Sequence, residues 1–238
     1  MVTLQSSAAT VVVVLVLLVL TAFVLPGCNG ASPDSVAAEK ALQRPAPVAA
    51  LRQQIAAVQA GQATKIEVDG GILLDDDLAP LATLSQLEVL VLKQANITDA
   101  GVSHLSQLSH LSQLVLGKTN IGDAGFQQLC TLTTLTDLNL AACAVTDAGI
   151  APVANLTKLE SFRLGKSQLT SAGLVHLKSL SHLRVVILQD AHLTDEGLQH
   201  LTGLTELETL YVERNQITDR GIEDFDAAIL PRKVHRHW

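Results

Sequence analysis

The sequence predicts an α/β solenoid of about seven stacked repeats, with one parallel β-sheet on the concave side and short helices on the convex side. One observation is a glycine that returns every 24 residues, and another is that several columns of leucine keep the same period. A fixed period of this length is typical of proteins whose neighbouring repeats share one continuous core. The glycines are Gly101, Gly125, Gly149, Gly173, Gly197 and Gly221.

Each repeat joins two hydrophobic patterns. In the first full copy, Leu90-Val91-Leu92 alternates as in a β-strand, and apolar residues recur every three positions over 102–108 as in a short helix. The sequence T-D-A-G at 98–101 lies between them, and Asp99 is predicted to cap the helix by accepting backbone N–H bonds. We expect the same role for the rest of this column, which holds Asp123, Asp147, Ser171, Asp195 and Asp219.

These units resemble bacterial leucine-rich repeats that end in the phrase I-T-D-x-G-L. The resemblance covers six full copies and one degenerate copy before them, which together give a repeat domain over residues 63–228. The column that many leucine-rich repeats fill with asparagine holds small residues here, and only the last copy has Asn215. The resemblance implies a non-enzymatic module that recognises a protein partner.

The N-terminal segment is predicted to tether this domain to a membrane. Residues 8–25 are almost continuously apolar, and the following L-P-G-C resembles a bacterial lipobox in which Cys28 becomes the lipidated N-terminus. Residues 1–27 then form a cleaved lipoprotein signal peptide. The alternative is an uncleaved anchor, because about 18 apolar residues can span a bilayer. Both interpretations place the repeats outside the cytoplasm, in the bacterial cell envelope.

Both ends of the solenoid are predicted to be covered. Residues 28–47 are rich in Ala, Ser and Pro and are predicted to form a flexible tether. Residues 48–62 are predicted to form a capping helix with one apolar face. Residues 229–238 are predicted to form a C-terminal cap, because Val234 lies 24 residues after Leu210 and so marks a last strand. The basic residues of this tail are interpreted as solvated, with an anionic contact as the alternative.

Composition and motifs argue against several functions. The net charge of −7 and an aromatic content of 3% argue against nucleic acid as a partner. No phosphate loop, nucleophile elbow or HExxH motif is present, so we predict neither an enzyme nor a cofactor. His176 and His200, in adjacent repeats, leave a metal site as an alternative to surface histidines. The aspartate column suggests caps rather than calcium ligands, and Cys130 and Cys143 are expected to be free thiols.

The outward positions of the strands do not repeat, which is typical of a binding face. Its predicted anchors are Arg163 and Tyr211, because arginine and tyrosine are enriched at binding hot spots. The alternatives are drift in the composition of exposed strands, a structural spacer of the envelope, and a metal-binding or enzymatic accessory protein. The predicted partner-binding residues are Val91, Lys118, Arg163, Lys166, Tyr211 and Arg214.

Overall fold

The computed structural model describes residues 45–69, 72–93, 95–116, 119–140 and 142–229, together with the backbone of 235–237. The predicted signal peptide 1–27, Cys28 and most of the predicted tether 28–47 lie outside the described residues, as does Lys118. Within the described ranges, no helix is both long enough and apolar enough to cross a bilayer.

The predicted parallel sheet is confirmed. Over the described part of the chain it has eight strands in sequence order, each hydrogen-bonded to the next. From β1 to β7 the register advances by one repeat per strand, as in the pair Ile66 and Leu90. The strands are β1 Lys65–Val68, β2 Val89–Leu92, β3 Gln113–Leu116, β4 Asp137–Leu140, β5 Ser161–Arg163, β6 Val185–Ile187, β7 Thr209–Tyr211 and β8 His235–His237.

Short helical segments connect the strands, as the three-residue spacing predicts. Some repeats form a turn or two of α-helix and others form 3₁₀ helix. The α-helices are α1 Pro45–Gln59, α2 Asp99–Val102, α3 Asp123–Leu129, α4 Asp195–Leu201 and α5 Asp219–Ile229. The 3₁₀ helices are Asp75–Thr83, Ser103–Leu105, Ala151–Asn155 and Ser171–Ser179.

The leucine columns form one core that runs through all the repeats. Leu138 of β4 is fully buried, and Phe162 and Val186, which replace leucine in this column, are buried as well. The larger Phe162 ring packs edge-on against Phe126, with 6.5 Å between ring centroids. A single repeat could not cover this apolar face, so each one depends on its neighbours for burial.

The aspartate column links successive repeats instead of capping its own helices, which corrects the sequence prediction. The N-cap of α2 is Thr98, and Asp99 is the first residue of that helix. Asp75, one repeat earlier, accepts the backbone N–H of Thr98 at 2.8 Å and its hydroxyl at 2.6 Å. Asp99 in turn accepts the N–H of Gly122. We call this series of inter-repeat bonds the aspartate ladder; it continues from Asp123 to Thr146, Asp147 to Thr170, Ser171 to Thr194 and Asp195 to Thr218.

The recurrent glycine makes room for this ladder. A Cβ at Gly149 would overlap the carboxylate of Asp123, and the same holds for Gly125 with Asp99. The degenerate first copy has Asp77 in the glycine column, and its carboxylate instead bonds locally to the N–H of Leu74 at 2.8 Å. The glycine is therefore required by space between repeats.

The asparagine-type column is mostly filled without bonds between repeats. Ala95 is fully buried, and the hydroxyl of Thr119 is buried without a partner in the described residues. The Ser167 hydroxyl accepts from the N–H of Leu169, two residues on in the same repeat, at 3.4 Å. Asn215, in contrast, donates to the carbonyl of Leu188 in the preceding repeat at 2.9 Å. The aspartate ladder is therefore the more regular polar link between repeats.

Helix α1 covers the first strand. It begins at Pro45, three residues before the predicted start at 48, and proline is tolerated there because the first helical N–H groups have no partner within the helix. Its buried face contains Leu51 and Val58. The amide of Gln54 donates to the carbonyl of Glu67 and accepts from its N–H, both at 2.7 Å. Gln54 thus satisfies two backbone groups at the edge of β1.

The last strand has a different register from the one predicted. Strand β8 pairs Arg236 with Leu210, so Val234 does not take the predicted position. The physical reason lies in α5, which has 11 residues where α3 and α4 have 7, so the chain returns to the sheet later. The predicted cap 229–238 also overlaps α5, because Ile229 ends that helix and is buried.

Candidate functional site

The strand side chains that alternate with the core leucines form one surface, here called the outward sheet face. The alternation is clear in β4, where Leu138 and Leu140 are buried while Asp137 and Asn139 are half-exposed. One column of this face contains Lys65, Val89, Gln113, Asp137, Ser161, Val185 and Thr209. The other contains Glu67, Val91, Val115, Asn139, Arg163, Ile187 and Tyr211.

Apolar residues lie on both sides of a polar centre on this face. Val91 pairs directly with Val115 on one side, and Ile187 pairs with Tyr211 on the other. Val91 is only 8% exposed, although it does not belong to the internal core, so its neighbours on the face already cover most of it. Val91 is therefore a weaker contact residue than the sequence suggests.

Ion pairs satisfy the charged residues near β1. Lys93 binds Asp69 at 3.0 Å and lies 3.8 Å from Glu67, which also pairs with Lys65 at 2.7 Å. The hydrogen bond to Asp69 raises the pKa of Lys93, and the hydrogen bond from Lys65 lowers the pKa of Glu67. These charges are engaged within the chain.

Ion pairs also engage the arginines near β6 and β7. Arg184 binds Glu208 through Nε and Nη2, with 2.9 Å from Nε to Oε1. Arg214 binds Asp190 through the same two nitrogens, at 2.5 Å and 2.7 Å. The hydrogen bond from Arg214 lowers the pKa of Asp190. Arg214, predicted as a partner contact, is thus already neutralised by its neighbour.

The polar centre of the outward sheet face contains groups without partners. Asp137 pairs in register with Ser161, and Asn139 pairs with Arg163. The Nε of Arg163 and the hydroxyl of Ser161 are buried, and neither has a hydrogen-bond partner within the described residues. Burial raises the pKa of Asp137, while the charge of Arg163 partly offsets this shift. Most buried polar groups in proteins are hydrogen-bonded, so these two are exceptions.

After each of the strands β4 to β7, the residue three positions beyond the outward-facing Asn139, Arg163, Ile187 or Tyr211 adopts a left-handed backbone. Lys166 has φ 55° and Arg214 has φ 56°, and the same column contains Ala142 and Asp190 with similar values. The N–H of Lys166 donates to the carbonyl of Gln189 at 2.9 Å, which extends the ladder of the sheet beyond the strands. The conformation is uncommon for residues other than glycine. It fixes where Lys166 and Arg214 leave the backbone, beside the outward sheet face.

Comparison with known proteins supports this architecture. A family model described as leucine-rich repeat matches residues 131–154, 179–201 and 204–225. Internalin C2 of Listeria monocytogenes aligns with a TM-score of 0.61 at 20% identity, over 81% of this chain and 93% of that one. The fold is a leucine-rich repeat solenoid.

Two further solved structures are similar over part of their length. A leucine-rich repeat protein of Leptospira interrogans has a TM-score of 0.55 at 17% identity, over 76% of this chain and 50% of that one. Another Listeria monocytogenes internalin has a TM-score of 0.43 at 24% identity, over 68% of this chain and 57% of its own. This chain thus spans only 57% and 50% of these two proteins. No curated protein matches the sequence.

The predicted contact residues occupy separate parts of the leucine-rich repeat surface. Arg163 lies at the polar centre, Lys166 follows it on the same repeat, and Tyr211 lies on the apolar side near β8. Ser161 and Asp137 were missed by sequence reasoning. Alignment of the repeats could have found them, because both residues fall in the outward column that also contains Gln113 and Val185.

The other candidate groups lie away from this centre. No group of three or more metal-ligating side chains occurs in the portion of the chain that the structure describes. Cys130 and Cys143 are buried and free, and burial raises the pKa of Cys130 to about 12 and that of Cys143 in the same direction. Both thiols are thus protonated at neutral pH and are poor nucleophiles. The chemistry that the outward sheet face offers is non-covalent recognition, and leucine-rich repeat proteins typically mediate such protein–protein interaction.

Proposed function

We propose that this chain is a membrane-tethered module that binds a protein partner through its outward sheet face. The tether in this proposal is a lipid on Cys28, or an uncleaved anchor formed by the preceding apolar residues, which holds the repeats on the outer side of a bacterial membrane. The leucine-rich repeat fold supports the binding role. The L-P-G-C sequence supports the tether.

The contrast between the two sides of the strands is the observation that carries this proposal. Inward positions remain Leu, Val or Phe from repeat to repeat and are buried. Outward positions change from valine to asparagine, arginine, isoleucine and tyrosine along one column. Folding constrains the first set, whereas a partner that contacts several repeats at once selects for the second.

Affinity capture from native envelope extract tests the binding role. The full-length chain with a C-terminal affinity tag is compared with the double variant Arg163→Glu, Tyr211→Ala, whose two sites lie outside the internal core. Lys178→Glu serves as the matched control, because it reverses one exposed charge in the 3₁₀ helix Ser171–Ser179. Thermal unfolding must show that all three proteins fold.

We expect a protein that binds the wild-type chain and Lys178→Glu but not the double variant. Capture of the same proteins by all three baits, or of none by any, would contradict recognition through the outward sheet face. The leading account would then be a structural spacer of the envelope.

Mass analysis of the chain expressed in a bacterium tests the tether. The lipoprotein proposal expects a mature protein that begins at a diacylglyceryl-modified Cys28 and a Cys28→Ser variant that keeps its first 27 residues. An unmodified full-length wild-type chain in the membrane fraction would instead support the uncleaved anchor.

A further inference from the structure

Three cations that flank the outward sheet face follow a simple pairing rule, in which the acidic partner lies in the same column one repeat away. Lys93 pairs with Asp69, Arg184 with Glu208 and Arg214 with Asp190. All these pairs are 24 residues apart in sequence. Stacked columns bring such residues side by side, so an acid at this spacing neutralises its neighbour.

Arg163 breaks this rule. The residues one repeat before and after it are Asn139 and Ile187, and neither carries a charge. Its Nε is buried without an acceptor among the described residues, and Asp137 affects it only as a nearby charge. Arg184 and Arg214 each bind a carboxylate through Nε and Nη2. At Arg163, the Nε of the corresponding edge has no such acceptor among the described residues.

Lys166 and Ser161 extend this unfilled site. Lys166 is exposed, and the acid one repeat after it, Asp190, hydrogen-bonds to Arg214 twice and interacts with Lys166 only as a nearby charge. Ser161 is 9% exposed and its hydroxyl has no partner in the described part of the chain. Two cations and an unsatisfied hydroxyl thus lie within one repeat, beside the apolar Ile187.

We infer that this site receives a carboxylate of the protein partner, which binds the Nε and Nη2 edge of Arg163 while Lys166 supplies a second positive charge. The inference rests on the proposed function and specifies the chemistry of the partner: an acidic residue flanked by apolar side chains that pack against Ile187 and Tyr211. The half-exposed Arg163 side chain rotates outward on binding, a common change at interfaces. A carboxylate matches the planar guanidinium fork, and the bond is charge-assisted.

Substitution of Asp137 distinguishes an acidic partner from a basic one, because the two should respond in opposite directions. Its carboxylate lies on the strand next to Ser161 and repels an incoming acid. Asp137→Asn should therefore strengthen the binding of an acidic partner. If the partner were basic and engaged Asp137, the same substitution would weaken binding.

Nitrogen-15 NMR of the arginine Nε–H groups tests the site directly. The full-length protein is kept in a neutral detergent, and the Arg163 signal is assigned by its loss in Arg163→Lys. The probes are N-acetylglutamate N-methylamide, whose only charge is the side-chain carboxylate, its neutral match N-acetylglutamine N-methylamide, and inorganic phosphate. We expect a saturable shift of the Arg163 signal with the glutamate probe, a weaker one in Lys166→Gln, no shift with the glutamine probe, and no shift of the Arg184 signal. No response of Arg163 to the glutamate probe, or a stronger response to phosphate, would overturn the assignment.

A second test of the carboxylate site uses the partner identified by affinity capture. Arg163→Lys keeps the charge but loses the fork, so capture should fall about tenfold. Arg184→Lys, the matched control at a paired arginine, should leave capture unchanged. If Tyr211→Ala abolishes capture while Arg163→Lys does not, the outward sheet face still binds the partner but the carboxylate site is wrong. If no variant of the face matters, the proposed function itself fails.

Discussion

At the scale of single residues, the T-D-x-G phrase combines three separate tasks. In α2, Thr98 caps its own helix and also donates its hydroxyl to Asp75 of the preceding repeat. Asp99 carries the bond to the next repeat, and Gly101 leaves space for the carboxylate of Asp75. A substitution at any of these positions should therefore act between repeats.

Gly149→Ala should destabilise the protein because its new methyl group would overlap Asp123. Overpacking of this kind costs about 1–3 kcal/mol, so the free energy of unfolding should fall by about that amount in urea titration. Gly203→Ala is the matched control, since a Cβ there meets nothing within 4 Å. It should be neutral or slightly stabilising.

The same experiment can assign the cost to Asp123. If the clash is the cause, Asp123→Ala should remove part of the penalty, and the double variant should be less damaged than the sum of the two single variants. Strict additivity would show that the alanine acts elsewhere, for example on the backbone of its own turn.

The pH dependence of stability should reveal the charge on Asp195. Hydrogen bonds from the N–H and hydroxyl of Thr218 lower its pKa below the ordinary 3.8. A group whose pKa is lower in the folded state stabilises the protein above its unfolded pKa, and this stabilisation is lost as pH falls through the folded pKa. Thermal unfolding measured from about pH 6 to about pH 2.5 should therefore show a smaller loss in Asp195→Asn than in the wild type.

Asp219→Asn is the control for that comparison. Asp219 occupies the same column at the exposed start of α5, and the described residues supply no hydrogen bond to its carboxylate. Its substitution removes a negative charge from the same column without removing any bond to Thr218. Equal flattening in both variants would mean that general charge, not the Thr218 bonds, sets the acid sensitivity.

Sequence analysis predicted the inward columns correctly but misassigned the aspartates, for a physical reason. Leu138 and its equivalents are specified by hydrophobicity alone, so periodicity is sufficient to find them. Thr98 and Asp99 are adjacent and both residue types cap helices, so local rules favoured the aspartate. The groups that bond to each aspartate lie one repeat away, and the recurrent glycine was the one sequence feature that indicated a close contact between repeats.

At the scale of secondary-structure elements, Gln54 shows how a helix can close a sheet edge. Its amide pairs with both backbone groups of Glu67, as a neighbouring strand would. Gln54→Ala should therefore expose the edge of β1, and hydrogen exchange of the Glu67 amide should become about fivefold faster, since one hydrogen bond contributes about 1 kcal/mol.

Gln53→Ala is the neighbouring control, because Gln53 is exposed on the same helix. It should leave exchange of the Glu67 amide unchanged. Equal acceleration by both substitutions would indicate that α1 as a whole loosens, rather than that one amide is lost.

Two features of the elements could not be read from the sequence. The four described left-handed residues of one column are Ala142, Lys166, Asp190 and Arg214, and none of them is the glycine or asparagine that usually signals this conformation. The register of β8 depends on the length of α5, and helix ends are poorly determined by composition. The unpaired state of Arg163 was predictable in principle, because Asn139 and Ile187 stand at the positions where an acid would be needed.

At the scale of the whole molecule, the aspartate ladder has one position among the described residues that lacks a carboxylate. Each aspartate of the ladder offers carboxylate oxygens to the next repeat, as Asp147 does to Thr170 at 2.8 Å and 2.5 Å. Ser171 offers Thr194 only a hydroxyl, at 2.9 Å. In a repeat protein, stability is the sum of repeat and interface terms, so a weaker interface divides the stack into units that open separately.

Ser171→Asp should strengthen this interface. The new carboxylate has the same space as in other repeats, because Gly197 already occupies the glycine column beside it. Charge-assisted hydrogen bonds are stronger than neutral ones, and we expect a gain of about 1 kcal/mol in the free energy of unfolding. Hydrogen exchange should slow most in α4 and β7, which lie on the C-terminal side of the interface between Ser171 and Thr194.

Ser181→Asp adds the same charge at an exposed position and should have little effect. If Ser171→Asp instead destabilises the protein, desolvation of the buried carboxylate outweighs its hydrogen bonds. If it protects β3 as much as β7, the ladder does not divide the stack at this repeat.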